Sequence, residues 1–389
     1  MTQPQLEIQL IAAIVSVACA IPGVFLVLRK MALISDAISH SILLGIVLGF
    51  FITQDLNSPI LILLACLVGV LTVVMVELIQ KTKLVKEDTA IGLVFPALFS
   101  IGIILISLKA NDIHLDVDSV LLGELAFAPF DRLFINEKDF GPKALWIMGS
   151  ILIFTLTLLL LFYKELKLST FDAGLSAALG FSPVLIHYSL MTVSSVTVVG
   201  AFDSVGAILV VALMIVPAAT AYLLTHKLKS MLMLSVFFGL FSSIGGYWVA
   251  NLLDASIAGS MATMLGVIFF TVYLFAPKKG LLANLFKEKR QKSEVQLLAF
   301  LLHLHSLNED NDLEERCVNH LYMHFRWTKS EADNILSLAK ENSLVHLDGD
   351  CIYLTEKGND FSERAIQFIT SNRGEKIEGI KEDYLLFRG

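Results

Sequence analysis

The chain has 389 residues, of which 56% are hydrophobic, and its mean hydropathy is +0.73. A soluble domain of this length needs far less apolar material, so the excess has to face lipid, and a purely soluble protein is excluded. The formal net charge of −7 gives no support to general nucleic-acid binding.

The charge is unevenly spread. Residues 284–389 hold 14 Lys and Arg and 19 Asp and Glu, leaving 15 and 17 for the first 283. A long apolar block, 1–283, therefore precedes a short hydrophilic domain, 284–389. Cys19, Cys66, Cys317 and Cys351 show no paired spacing, which suggests neither a disulfide framework nor a thiolate metal site. The N-terminus lacks a basic n-region and a small-residue cleavage site, so its first apolar run is expected to stay in the mature chain.

A helix crossing the hydrocarbon needs about 20 apolar residues. Runs of that kind lie near 8–28, 31–53, 59–79, 89–108, 145–163, 229–252 and 256–276. Residues 183–225 form an apolar stretch of double length, interrupted between Gly200 and Gly206. Two spans with a break there bring the count to nine; a single span leaves eight. Lys and Arg gather on the cytoplasmic side of membrane proteins. Here they cluster at Arg29-Lys30, Lys81 to Lys86, Lys164 to Lys167, Lys227 to Lys229 and Lys278-Lys279, at every second connection. That alternation predicts an N-terminus outside and a C-terminus in the cytoplasm. The long connection 109–144 contains Leu121 to Phe127, too short to span and too apolar for a plain loop, which suggests an interfacial or re-entrant piece.

The second span opens Met31-Ala-Leu-Ile-Ser-Asp36-Ala-Ile-Ser-His40-Ser-Ile-Leu-Leu-Gly45. A carboxylate and an imidazole four residues apart share one helical face. Ionisable groups inside a span are costly, so they face a partner or an aqueous path. A hard oxygen with a borderline nitrogen suits Mn²⁺, Zn²⁺ or Fe²⁺. The plain alternative is an Asp–His hydrogen bond that holds two helices together. Glu124, His187 and Asp203 are further candidate ligands, Asp203 being read as an outer loop residue. His114, Asp116 and Asp118 are expected to face an external partner or water. Pro96 and Pro217 lie inside spans, where each removes a backbone hydrogen bond and can kink the helix.

Several motifs together resemble the permease family of manganese, zinc and iron ABC importers. They are Ser35-Asp-Ala-Ile-Ser-His40-Ser, Glu87-Asp-Thr-Ala-Ile-Gly92, Val205-Gly-Ala-Ile-Leu-Val-Val-Ala-Leu-Met-Ile-Val-Pro217-Ala-Ala-Thr-Ala221 and Phe275-Ala-Pro-Lys-Lys279. The resemblance runs from about residue 10 to 280, in order and with the family's spacing. It implies that Asp36 and His40 serve metal passage; Ser35 stands where the family more often has Gly. It also implies that Thr170-Phe-Asp172-Ala-Gly-Leu-Ser-Ala177-Ala-Leu-Gly180 is the cytoplasmic helix that docks on the ATPase. Phe171 and Leu175 would be its apolar anchors, Asp172 the cap and Gly180 the end, with Ala177 between them. No Gly-x-x-x-x-Gly-Lys-Ser/Thr phosphate loop occurs, so hydrolysis is expected in a separate ATPase and this chain is a non-catalytic subunit. An ABC transporter has two nucleotide sites and two membrane halves. The resemblance therefore implies a homodimer of this chain with two ATPase copies, supplied by an extracytoplasmic metal-binding protein. The expected localisation is the bacterial cytoplasmic (inner) membrane, multi-pass and in contact with lipid. No permanently bound cofactor is expected; the metal is cargo.

In the tail, Glu294 to His305 reads as a helix, followed by helices near 312–324 and 330–342. A hairpin over 343–358 turns at Asp348-Gly349-Asp350. Helices followed by a hairpin make a winged helix, and the wording Leu-Val…Leu-Thr-Glu-Lys-Gly resembles metal-dependent repressors of the diphtheria-toxin-repressor type. The candidate recognition helix, Lys329-Ser-Glu331-Ala-Asp333, carries two acids and one base. A DNA contact needs a basic face, so a protein-contact or metal-regulatory domain fits the tail better. Its five His are scattered and read as ordinary surface or core residues. The expected architecture is thus an all-α polytopic membrane protein of eight or nine helices followed by a small cytoplasmic α+β domain. Two other functions fit parts of the sequence: a membrane-tethered metal-responsive transcription regulator, and an ion-coupled secondary carrier that needs no ATPase.

Overall fold

The computed structural model describes residues 2–55, 58–109, 125–135, 138–277, 279–310, 325 and 327–371. The chain divides into two compact units, Met1–Leu281 and Leu282–Gly389. His114, Asp116, Asp118, Glu124 and the helix expected near 312–324 lie outside the described residues.

The first unit is built from apolar helices: α1 (Gln3–Leu28), α2 (Leu33–Thr53), α3 (Pro59–Lys81), α4 (Glu87–Lys109), α5 (Lys143–Leu161), α8 (Pro183–Leu224), α9 (Leu228–Leu253) and α10 (Ile257–Phe275). All eight are long and apolar enough to cross a membrane. They coincide closely with the runs read from the sequence, because the bilayer demands both length and internal hydrogen bonding of each crossing segment. Two short helices, α6 (Tyr163–Phe171) and α7 (Ala173–Ala178), lie between α5 and α8. Local chemistry sets several starts. Ser58, Ser182 and Ser256 accept from backbone N–H groups of the first turn, and Pro59 and Pro183 occupy positions where no hydrogen bond is lost.

The 42-residue α8 is two helical arms. Gly206 has φ 77° and ψ 166°, a conformation open essentially to glycine alone. A straight helix would hold Leu190 and Ala218 about 42 Å apart at ~1.5 Å per residue. Instead Leu190, Ala218 and Ala221 share one apolar cluster with Val24 and Phe25 of α1. The chain therefore turns back at Gly206, and each arm has the length of one span. Asp203 is an exposed helical residue just before that turn. Nine apolar segments result among the described residues, and α1, whose Ile11, Ala12, Val15, Ala18 and Cys19 are completely buried, packs against α5, α8 and α9. The contact of α1 with the second arm is close: a Cβ on Gly23 would stand 1.9 Å from the Met214 carbonyl oxygen.

Beyond α4 the long connection contains a hairpin, β1 (Arg132–Ile135) with β2 (Lys138–Pro142), in antiparallel register. Arg132 fastens it, with Nε 2.6 Å from Asp139 Oδ2 and Nη1 3.3 Å from Glu7 Oε2 at the start of α1. The hydrogen bond from Arg132, with a second from the Gly141 backbone N–H, holds the Asp139 carboxyl below its ordinary pKa.

The second unit contains α11 (Leu281–Asp310), α12 (Lys329–Glu341), the antiparallel pair β3 (Val345–Asp348) and β4 (Cys351–Leu354), and α13 (Glu356–Ser371). Leu297, Phe300, Leu301 and Leu304 of α11 pack with Ile335 and Ala339 of α12 and with Val345 and Ile352 of the hairpin. Thr328 and Glu331 form a reciprocal cap at the start of α12. Lys292 reaches the same carboxylate at 2.7 Å. That bond, followed by those from Thr328, lowers the Glu331 pKa to about 2.

Candidate functional site

Helix α2 is buried for most of its length, and Asp36 and His40 interrupt that burial. Their side chains remain 40% and 35% exposed, and Leu33, on the same face, is exposed as well. His40 Nε2 stands 3.5 Å from Asp36 Oδ1. That is beyond the 2.7–3.2 Å of a good N–H···O bond, so the pair is juxtaposed rather than locked. Two ligands each about 2.1 Å from one ion at the tetrahedral angle lie about 3.4 Å apart, so the spacing matches one edge of a coordination shell. The imidazole is held by aromatic rings of α4: it stacks on Phe95 at 5.6 Å and meets Phe99 edge-on at 6.1 Å.

These neighbours fix the depth of the pair. Phe95 and Phe99 flank the middle of the 23-residue α4, and Ile38 packs against Gly69, near the middle of the 23-residue α3. The first two turns of α2 therefore lie level with the centres of α3 and α4. Asp36 is only three residues, about 4.5 Å at ~1.5 Å per residue, from the Leu33 start of α2, so the α1–α2 turn is recessed relative to the ends of α3 and α4. Among the described residues no group of three or more His, Cys, Asp or Glu is arranged to hold a metal ion.

His187 is engaged elsewhere. Its Nε2 contacts Glu77 of α3, its Nδ1 lies 3.2 Å from Arg29 Nη1, and the neighbouring Tyr188 hydroxyl donates to Glu77 Oε2 at 2.6 Å. Both ring nitrogens already have partners. Glu77 carries no expectation from the sequence, and Arg29 enters it only as part of the basic cluster Arg29-Lys30. The available signal was Glu77 itself, a lone carboxylate in the apolar run Val73 to Ile79.

The segment between α5 and α8 has the predicted local form. Asp172 caps α7, its Oδ1 accepting from the Leu175 N–H at 2.8 Å, and Gly180, with φ 88°, ends the turn. Phe171 and Leu175 are 57% and 48% exposed, Ala177 is exposed, and Leu179, Phe181, Val184 and Leu185 extend the same uncovered apolar region.

Residues 5–276 match the family described as the ABC 3 transport family. The chain belongs to that family. Among ABC 3 relatives, the zinc transport system membrane protein TroD of Treponema pallidum is 47% identical over 354 residues, 91% of this chain and 96% of that protein. The manganese transport system membrane protein MntD of Bacillus subtilis is 43% identical over 281 residues, 72% of this chain and 95% of its own length. The fold is also that of a chain in the structure of PsaBC from Streptococcus pneumoniae in complex with Fab. There the TM-score is 0.60 at 30% identity, covering 72% of this chain and 94% of that one. Membership in this family, together with eight long apolar helices, makes the chain a multi-pass membrane transport protein.

Proposed function

We propose that this chain is the membrane-spanning permease of an ATP-driven importer for a divalent transition metal, manganese first, with zinc or iron next. The observation that carries the substrate class is the partly exposed Asp36–His40 pair in the first two turns of an apolar helix, level with the centres of α3 and α4. A carboxylate and an imidazole on a face that met only lipid would be costly. A second copy of the chain on the Leu33–Asp36–His40 face would cover them and bring two Asp–His pairs to one axis. Four such ligands with water suit passage, because a path must bind the ion and still release it. The zinc of the TroD system and the manganese of the MntD system agree with this donor set.

With nine crossings and basic residues at every second connection, the charge rule supports an N-terminus outside and the α6–α7 segment on the cytoplasmic side. There the exposed Phe171, Leu175 and Ala177 offer an apolar surface to a separate ATPase, two copies per dimer. Metal would arrive from an extracytoplasmic binding protein, and the membrane would be the bacterial inner membrane. Vesicles holding the permease, its ATPase and the binding protein should take up Mn²⁺ only when ATP is hydrolysed, with Zn²⁺ and Fe²⁺ as competitors. Uptake driven by an ion gradient with no ATPase present would refute the assignment.

For the second unit we propose a cytoplasmic winged helix that contacts protein or senses metal. Its support is the hairpin β3–β4 packed on α11 and α12, and the acidic Glu331 and Asp333 argue against DNA. The family match over residues 5–276 lies within the first unit, which supports reading that unit as the permease part. A chain truncated after Leu282 should accordingly insert, dimerise and retain its ATPase, with altered transport rate. A truncated chain that no longer assembles would make the unit a structural requirement.

A further inference from the structure

One polar joint lies between the docking segment and the membrane helices. Arg29, the residue that caps the end of α1, donates from Nε to Thr170 Oγ1 at 3.3 Å and from Nη2 to Ser169 Oγ at 3.4 Å. Both hydroxyls belong to the last turn of α6, directly before Phe171. The same guanidinium reaches His187 Nδ1 on the first arm of α8 through Nη1 at 3.2 Å. Arginine has no acceptor, so Nδ1 must accept, and the ring proton is left on Nε2, which donates to Glu77. The second oxygen of Glu77 accepts from Tyr188. The side chains of Glu77 and His187 are only 14% and 19% exposed.

One guanidinium thus ties α1, α6 and α8 together, and one carboxylate adds α3. Helix α3 is in turn the neighbour against which α2 lays Ile38, between Asp36 and His40. Each bond in this chain has a charged member and is directional where apolar contact can slide; those of Glu77 to His187 and Tyr188 are short, and those of Arg29 are longer, at 3.2–3.4 Å. We propose that Arg29, Glu77, His187 and Tyr188 are positioning residues for coupling. They carry displacement of the docked ATPase from α6 and α7 into α1, α3 and α8, and through α3 to the Asp36–His40 pair. The inference rests on the reading of the α6–α7 segment as the ATPase docking surface.

The test uses the full-length permease copurified with its ATPase, in three comparisons. Glu77→Gln keeps side-chain volume, Arg29→Gln shortens the side chain, and each removes one charge. They should retain the ATPase at wild-type stoichiometry and melt close to wild type. Hydrolysis stimulated by Mn²⁺ and binding protein should fall about tenfold, the loss expected for a charged hydrogen bond of this kind, with Mn²⁺ uptake falling in parallel. Tyr188→Phe removes a single hydroxyl and carries the same test should the charge variants fail to insert. Phe171→Asp provides the control on the docking reading.

Wild-type stimulation and uptake in the joint variants, with the ATPase shed by Phe171→Asp, would overturn the joint and leave the docking surface standing. Loss of the ATPase from Arg29→Gln and Glu77→Gln would make the cluster a scaffold for the surface and equally overturn it. Full ATPase retention and uptake in Phe171→Asp would remove the docking reading, and the joint with it.

Discussion

Alanine at Asp36 or at His40 is expected to stop metal uptake while leaving a folded permease that still binds its ATPase. Each side chain is partly exposed and makes no short hydrogen bond with the other at 3.5 Å, so neither truncation strands a buried partner. The structural penalty should be small. The functional penalty should be large, because each variant deletes one of the two ligands proposed for each protomer. Even outer-shell partners of metal ligands typically cost about 10–100-fold when lost, and a direct ligand should cost at least that. Asp36→Asn separates the two roles of this residue. It preserves shape and hydrogen-bonding capacity but removes the anionic oxygen, so a structural bond would survive it and a metal ligand would not. Initial rates of Mn²⁺ uptake in vesicles, normalised to bound ATPase, are the measurement. Wild-type rates in Asp36→Ala and His40→Ala would reduce the pair to a helix contact.

The spans were legible in the sequence because the constraint behind them is local. A crossing helix must be apolar for about 20 residues and must satisfy its own backbone. The same holds for the cap at Asp172 and the end at Gly180, where one side chain and one backbone conformation decide the outcome. The break within residues 183–225 was visible as Gly200 and Gly206, and the structure assigns the reversal to Gly206. Depth was not legible. Counting along α2 from Lys30 places Asp36 near the cytoplasmic end, whereas Phe95, Phe99 and Gly69 place it at the level of the helix centres. The stagger of one helix against another is set by side-chain packing between distant segments, which no periodicity records. Glu77 was missed for a related reason. Its partners His187 and Tyr188 lie more than a hundred residues away, so no spacing in the α3 run announces them. The hairpin Arg132–Pro142 was absent from the reading of the long connection as well. Its two strands have four and five residues, too few to show an alternating pattern, and its link to α1, Arg132 to Glu7, is non-local.

Aspartate in place of Phe171 or Leu175 is expected to release the ATPase from an otherwise intact membrane unit. Both wild-type side chains stand in the open, at 57% and 48% exposure, on or beside a six-residue helix whose own fold depends on the Asp172 cap. An exposed Phe and Leu contribute little to the stability of the free chain, so their replacement should leave folding unchanged. On docking, the new carboxylate would have to be buried without a partner. An uncompensated charge in a contact of this kind costs several kcal/mol, about 3–5 when one member of a buried pair is missing. At about 1.4 kcal/mol per tenfold, that weakens association by roughly two to three and a half orders of magnitude. Lysine at the same positions gives the complementary result. It should be equally disruptive if the ATPase surface is apolar, and milder if that surface carries carboxylates near the contact. The measurement is the ratio of ATPase to permease recovered after purification from membranes, set beside the melting temperature of the permease alone. Undiminished recovery and uptake in both aspartate variants would place the ATPase contact elsewhere on the cytoplasmic face.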